Sequence, residues 1–187
     1  MKIYVATHNA HKISEMAAIL PKGTELVSDD PGVEETGETF EENALLKARA
    51  TARRHPGEWT LADDSGLETA ALGGAPGVRS ARFAGEPVST ARNNAKLLAE
   101  LAGAADRSAR FRCCIALVAP DGTESVVQGV CPGRIAESAS GAEGFGYDPL
   151  FVPDGRDRTF AELGPDEKNA ISHRGAALRA AGKVLFP

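Results

Sequence analysis

Short β-prone runs alternate with stretches of helical periodicity along this chain, and that alternation restricts the folds open to it. Residues 2–6 (KIYVA) predict a strand, and apolar residues then recur at helical spacing over 13–20. Residues 25–28 predict a second strand, and residues 58–62 predict a third. An α/β fold follows from this order of elements.

The rest of the chain adds helices and one hairpin. Thr39 predicts a capping box at the start of a helix, and residues 89–101 predict another helix. Residues 110–119 and 124–130 flank a Pro-Asp-Gly turn and predict a β-hairpin, whose strands are antiparallel. The last predicted helix spans about 166–181. A hairpin beside strand–helix alternation favours a mixed sheet over a purely parallel one.

Composition narrows the class of partner. The chain has 187 residues, 42% of them hydrophobic, with a formal net charge of −5, and shows no clustered basic excess of the kind that binds nucleic acid. No apolar run approaches the ~20 residues of a membrane span, and the N-terminus does not resemble a signal peptide. The three cysteines, Cys113, Cys114 and Cys131, lack metal-ligand spacing and suit a reducing compartment. We expect a soluble, cytoplasmic protein with neither nucleic acid nor membrane as a partner.

Adjacent acids follow the third predicted strand. Asp63 and Asp64 stand where that strand ends, and Glu34, Glu35 and Glu38 lie in an acidic loop. Carboxylates of this kind hold Mg²⁺ together with substrate phosphates, and a divalent cation relieves their mutual repulsion. The other interpretation is that Asp63-Asp64-Ser65 caps a helix and that the loop is a solvated surface.

A second stretch, THNAHK at residues 7–12, joins the first strand to the first helix. Backbone N–H groups at a helix N-terminus favour an anion, and Lys12 adds a positive charge for a phosphate. The spacing is not that of the Gly-rich phosphate loop of common NTPases. A helix start with a solvated lysine remains the alternative.

Two later stretches offer groups for a flat, carbonyl-bearing ring. In GFGYD (144–148), an aromatic residue can stack on a ring or can anchor the turn in the core. In KNAISHRG (168–175), Lys168, His173 and Arg174 can donate hydrogen bonds to phosphate or carbonyl oxygens. They can equally be ordinary solvated residues of a helix.

The order of these blocks carries a resemblance. THNAHK, TFEENALLKA, ADDSGLETAALGGAPGVRSARFAG, GFGYDPLF and EKNAISHRGAAL follow one another from residue 3 to about residue 178. This series resembles the inosine/xanthosine triphosphate pyrophosphatase family, the Ham1-like purine nucleotide enzymes. The resemblance implies one domain over 1–187, with an elongated two-lobed α/β fold, a central mixed sheet flanked by helices and a nucleotide cleft between the lobes. It also implies a homodimer.

The resemblance further implies an activity and the residues that carry it. The activity is Mg²⁺-dependent hydrolysis of ITP, dITP and XTP to the monophosphate and pyrophosphate, which excludes deaminated purines from DNA and RNA. Asp64 matches the proton acceptor and a metal ligand, with Glu34 as the second metal ligand. The positions that match substrate contacts are Thr7, His8, Asn9, Ala10, His11, Lys12, Ser65, Phe145, Gly146, Tyr147, Asp148, Lys168, His173 and Arg174. Relatives commonly have Gly where this chain has His8, and His would be strained there if the position required a positive φ.

Three other functions remain compatible with parts of the pattern. A nucleotide sensor would keep the phosphate loop but would need no acids. A Maf-like pyrophosphatase would act on pyrimidine or modified nucleotides, although the SHRG and GFGYD blocks favour the purine family. A metal-dependent phosphomonoesterase would release orthophosphate instead of pyrophosphate.

Overall fold

Six strands form one sheet in the computed structural model, which describes residues 1–187. The strands are β1 (Lys2–Val5), β2 (Glu25–Ser28), β3 (Trp59–Thr69), β4 (Ser108–Val118), β5 (Glu124–Ile135) and β6 (Phe151–Pro153). Their order across the sheet is β2-β1-β3-β4-β5-β6. Strand β1 is parallel to both β2 and β3, whereas β6 is antiparallel to β5. The predicted mixed sheet is therefore confirmed.

Five α-helices accompany the sheet: α1 (Ala10–Ile19), α2 (Phe40–Arg54), α3 (Thr90–Glu100), α4 (Pro165–Ile171) and α5 (His173–Leu185). The predicted capping box at the start of α2 is present, since Thr39 and Glu42 each accept a hydrogen bond from the other's backbone N–H. Ser89 caps α3 as predicted. None of the helices combines the length and the apolar character that a membrane crossing requires.

Three predicted boundaries are wrong. The third strand does not stop at residue 62 but continues through both acids to Thr69, because Asp63 and Asp64 are buried strand residues. Helix α1 begins at Ala10, three residues before the predicted start, because Asn9 caps it. The single helix predicted over 166–181 is two helices, separated by Ser172 in an extended conformation (φ −71°, ψ 157°). Such a backbone is typical of the residue that caps a following helix, a role that Ser favours.

The chain divides into two compact units, each assembled from separate segments. Unit 1 comprises Met1–Asp64, Cys113–Gly129 and His173–Pro187. Its core is a cluster of buried apolar side chains from β1, α1, β3, β4 and α5: Ile3, Val5, Met16, Leu20, Leu61, Cys113, Ile115, Leu117, Ala177, Leu178, Ala181 and Leu185. Helices α1 and α5 contact each other within this unit.

Unit 2 comprises Ser65–Arg112 and Val130–Ser172. Three aromatic rings lie at the centre of its core, with the Phe111 centroid 4.7 Å from that of Phe151 and 5.9 Å from that of Phe160. The first pair is edge-on and the second is stacked, and aromatic pairs at such distances are favourable beyond the area that they bury. All three cysteines of the chain are buried and unbridged, as the sequence predicts.

Candidate active site

The loop from β1 to α1 is ordered by its own side chains. The Asn9 side-chain oxygen accepts hydrogen bonds from the backbone N–H groups of His11 (3.0 Å) and Lys12 (3.3 Å). The Thr7 hydroxyl oxygen accepts one from the N–H of Asn9 at 3.1 Å. No residue other than glycine has a positive φ, so His8 occupies its position without backbone strain. His8, Asn9, Ala10 and His11 are exposed, as residues that meet a ligand from solvent must be.

Asp63 is held between two cations. Its Oδ1 lies 2.8 Å from the Lys12 ammonium, and its Oδ2 accepts bonds from Arg174 Nε (3.2 Å) and Nη2 (3.1 Å). Burial alone would raise the pKa of Asp63, but the charges of Lys12, Arg174 and Lys47 outweigh it and hold that pKa well below its usual range. Asp63 is therefore an ionised carboxylate with a cation against each of its oxygens.

Arg174 links three elements of unit 1. It lies in the first turn of α5, is 1% exposed, and donates from Nη1 to Glu15 of α1 at 2.6 Å as well as to Asp63 of β3. Burial acts to lower the pKa of Arg174, but the carboxylates of Asp63 and Glu15 more than offset it and raise that pKa. His173, the preceding residue, is also buried. Arg174 thus fixes α5 against the strand that carries both acids.

Asp64 has a different environment from its neighbour. Successive strand residues point to opposite faces of a sheet, so the two carboxylates meet different partners. Asp64 Oδ1 lies 3.6 Å from the Lys47 ammonium, while its Oδ2 is buried without a hydrogen-bond partner. Burial raises the pKa of Asp64; Lys47 opposes this shift and Glu35 adds to it. Both oxygens of Asp63 contact a cation, whereas Asp64 pairs with a cation only through Oδ1 and its Oδ2 is buried without a hydrogen-bond partner.

Lys47 of α2 connects the acidic loop to Asp64. Its ammonium donates to Glu35 Oε1 at 2.8 Å and to the Asp63 carbonyl oxygen at 2.7 Å. Burial acts to lower the pKa of Lys47, but Asp64, Asp63 and Glu35 together raise it, so the ammonium stays charged. Glu34, the predicted metal ligand of the loop, is exposed.

The loop carrying Glu35 is anchored close to α2. The Gly37 N–H donates to the Asn43 side-chain oxygen at 2.8 Å. A Cβ on Gly37 would lie 2.7 Å from that oxygen and 2.7 Å from the Glu42 Cβ, so only glycine permits this approach. The anchor lies two residues after Glu35 and holds that part of the loop against the start of the helix.

Sequence reasoning missed Glu15 and Lys47, and it considered Glu35 only as one member of the acidic loop. One signal could have found Lys47, because it belongs to the buried stripe of α2: Phe40, Ala44, Lys47, Ala48 and Thr51. A lysine on a buried, largely apolar stripe requires buried acids as partners. Nothing in the local sequence distinguishes Glu35 from Glu34.

In unit 2, the Gly-rich loop organises three of the predicted substrate residues. Asp148 Oδ2 accepts from the Phe145 N–H (2.7 Å) and from the Lys168 ammonium (2.7 Å), and Lys168 lies 5.0 Å from the Phe145 ring centroid. Gly144 has φ +73°, and a Cβ there would lie 2.1 Å from Asp148 Oδ2. The loop therefore closes on its own carboxylate and presents a half-buried Phe145 beside a buried cation.

Tyr147 anchors its turn in the core, which the sequence left open as the alternative to stacking on a ring. It is 5% exposed, and its hydroxyl donates to the Ser80 carbonyl oxygen at 2.8 Å. Burial raises the pKa of this hydroxyl, which keeps it a neutral donor. Tyr147 anchors the turn in the core of unit 2, whereas Gly146 beside it is half-buried with φ +62°. Ser65, at the start of this unit, is half-buried in β3.

Comparison with known proteins gives one consistent result. The model of the Ham1 family matches residues 3–184. The dITP/XTP pyrophosphatase of Desulforamulus reducens is 51% identical, over 99% of this chain and 96% of its own length. That of Geobacillus kaustophilus is 52% identical, over 95% and 90%. The structure of a HAM1 protein from Coxiella burnetii superposes with a TM-score of 0.89 at 44% identity, covering 99% of this chain and 98% of that one.

Proposed function

This chain belongs to the Ham1 family, and on that premise we propose that it is a nucleoside-triphosphate pyrophosphatase acting on dITP, XTP and ITP. The products are the nucleoside monophosphate and pyrophosphate, and the role is to keep deaminated purines out of DNA and RNA. The observation that carries the proposal is Asp64 Oδ2, a buried carboxylate oxygen without a hydrogen-bond partner in a cluster of charges. A sensor needs no such group, since it would bind the nucleotide without activating water.

Mg²⁺ is the proposed cofactor. The structure gathers no group of three or more His, Cys, Asp or Glu side chains in metal-site geometry. Mg²⁺ commonly takes only one or two carboxylates and completes its shell with water and substrate phosphates, so Asp64 and one loop glutamate fit this ion. The resemblance gives Glu34 as that glutamate. Glu35 is better supported, because Lys47 pairs with it and also lies 3.6 Å from Asp64 Oδ1, which brings Glu35 to the same place as Asp64. When bound, Mg²⁺ would supply neutralisation of the phosphate charge.

Asp64 is the proposed proton acceptor. Its buried Oδ2 has no hydrogen-bond partner and can accept a hydrogen bond from a water, which is the geometry that a general base requires. It orients the water that attacks the α-phosphorus and takes up a proton from it. Lys47, 3.6 Å from the other carboxylate oxygen, keeps the side chain in place.

The loop of residues 7–12 is the proposed site for the phosphates. Lys12 stays partly accessible, with 16% of its side chain exposed, although it pairs with Asp63. The paired aspartate holds the ammonium in one position, so that its charge is preorganised for an incoming anion. Thr7 and Asn9 contribute neutral groups beside it.

The proposed base-recognition residues are Phe145, Lys168, His173 and Arg174. Hypoxanthine and xanthine carry a carbonyl at position 6 where adenine carries an amino group. Donors placed there favour the carbonyl and leave adenine with a buried mismatch, which is strongly penalised.

We further propose that residues 1–187 act as one domain, and that the protein works as a homodimer in the cytoplasm. The family resemblance supports the single domain and the homodimer, and the unbridged cysteines, which are typical of a reducing compartment, support the cytoplasm. Neither nucleic acid nor a membrane is a proposed partner. Sedimentation of the purified protein tests the dimer directly.

Product analysis tests the activity. The purified protein is incubated with ITP, with and without Mg²⁺, beside ATP, GTP and a pyrimidine triphosphate, with Asp64→Asn as the inactive control. We expect Mg²⁺-dependent IMP and pyrophosphate, with the other nucleotides nearly untouched. Formation of IDP and orthophosphate would refute attack at the α-phosphorus. Tight ITP binding without turnover would favour the sensor, and preference for the pyrimidine would favour the Maf-like alternative.

A further inference from the structure

Gly129 of β5 lies against the first turn of α5. It is buried, and it is not among the glycines with positive φ, so its backbone conformation is open to any residue. What requires glycine is space. A Cβ at this position would lie 2.0 Å from the His173 carbonyl oxygen and 2.5 Å from the Ala177 backbone nitrogen. Both are backbone atoms of the helix, which cannot rotate away as a side chain can.

The first turn of α5, which packs against Gly129, carries two of the proposed base-recognition residues. His173 and Arg174 open α5, and Arg174 bonds to Asp63 and Glu15 over 2.6–3.2 Å. An uncharged carbon and oxygen rest more than 3 Å apart, so a Cβ at 2.0 Å demands a shift of roughly 1 Å. Hydrogen bonds of this length weaken steeply over such a displacement.

We propose that Gly129 is a positioning residue for nucleotide recognition. It sets the depth at which the first turn of α5 packs on the sheet, and thereby the position of His173 and Arg174. The inference rests on the proposed function, because it assigns these two residues to the purine base. It adds a residue that contacts no substrate and acts only through helix placement.

The first test is Gly129→Ala, with Gly133→Ala as the matched control. Gly133 lies on the same strand and is equally crowded, since a Cβ there would lie 2.4 Å from the Val152 carbonyl oxygen, but it faces β6 and not α5. A displacement of about 1 Å at a site can cost on the order of 100-fold in rate. We expect Gly129→Ala to lower the preference for ITP over ATP by about 10-fold or more, because the displaced donors are those proposed to select the 6-carbonyl. Gly133→Ala should lose stability but keep the wild-type preference.

Hydrogen exchange of the α5 amides gives a readout that does not depend on catalysis. We expect faster exchange over residues 173–177 in Gly129→Ala and no change there in Gly133→Ala. Normal exchange, or equal changes in the two variants, would overturn the helix placement. If the wild-type protein neither binds nor hydrolyses ITP, the proposed function fails, and the assignment of Gly129 to nucleotide recognition fails with it. The exchange comparison still decides separately whether Gly129 places α5.

A second variant covers the case in which Gly129→Ala does not fold. Glu15→Gln loosens Arg174 from the side of α1 without altering β5. If the placement of Arg174 governs recognition, this variant also lowers the preference for ITP over ATP. An unchanged preference in folded Glu15→Gln would contradict the inference, because Arg174 could then be loosened without consequence.

Discussion

Replacing Asp63 with asparagine removes a buried negative charge from between Lys12 and Arg174. The side chain is 0% exposed, and it accepts two bonds from the guanidinium and contacts the ammonium at 2.8 Å. Asparagine keeps one oxygen, but its amide NH₂ must face one of the two cations. Breaking a buried ion pair from one side costs about 3–5 kcal/mol, a large part of the ~5–15 kcal/mol that stabilises a typical domain.

The neighbouring acid supplies the control. Asp64 has a buried oxygen without a partner and a raised pKa, so its ionised form is unfavourable in the folded state. Asp64→Asn should therefore leave stability within about 1 kcal/mol of the wild type, or increase it. Two isosteric substitutions at adjacent positions are expected to differ by several kcal/mol.

Urea unfolding of both variants at several pH values is the assay. The pKa of Asp63 is lower in the folded than in the unfolded protein, so its stabilisation is complete above the ordinary carboxyl pKa of about 4 and declines as the pH falls below it. The gap between wild type and Asp63→Asn should narrow on acidification. Equal losses from Asp63→Asn and Asp64→Asn, or a loss below about 1 kcal/mol from Asp63→Asn, would refute the reasoning.

Three further outcomes are expected from single substitutions. Asp64→Asn should lower kcat by about 10²–10⁴-fold with little change in KM, since an amide cannot take up a proton from the attacking water. Titration of activity with Mg²⁺ should show that Glu35→Gln needs a higher Mg²⁺ concentration than the wild type, whereas Glu34→Gln needs the same concentration as the wild type. The reverse pattern would make Glu34 the ligand. Tyr147→Phe loses the bond to Ser80 and should cost about 0.5–1.5 kcal/mol in thermal unfolding, and altered base preference would contradict its anchoring role.

Local signals in the sequence predicted much of the fold. The capping box at Thr39, the cap at Ser89 and the hairpin turn depend on residues within a few positions of one another, and the structure confirms each. Strand β3 was cut short because Asp63-Asp64 is typical of turns when its partners are unknown. Those partners are distant, since Arg174 lies 111 positions from Asp63.

For the candidate site too, local signals in the sequence identified residues but not their distant partners. The motif blocks brought Asp64, Lys12 and Arg174 to attention, but no local pattern states that Arg174 bonds to one acid and Lys47 to the other. Glu35 and Glu34 are chemically identical in the sequence, and only the anchoring of the loop at Gly37 separates them. Pairing between remote charges is decided by packing, which a linear pattern does not contain.

The segmented make-up of unit 1 has a consequence for biosynthesis. Its first segment ends at Asp64, yet Ala177, Leu178 and Leu185, which close its core, belong to the segment that begins at His173. A nascent chain therefore exposes the apolar surface of Ile3 and Met16 until translation has passed α5. During that interval Asp63 also lacks its partner Arg174. The first half of the chain therefore leaves the ribosome with exposed apolar surface of the kind that chaperones bind.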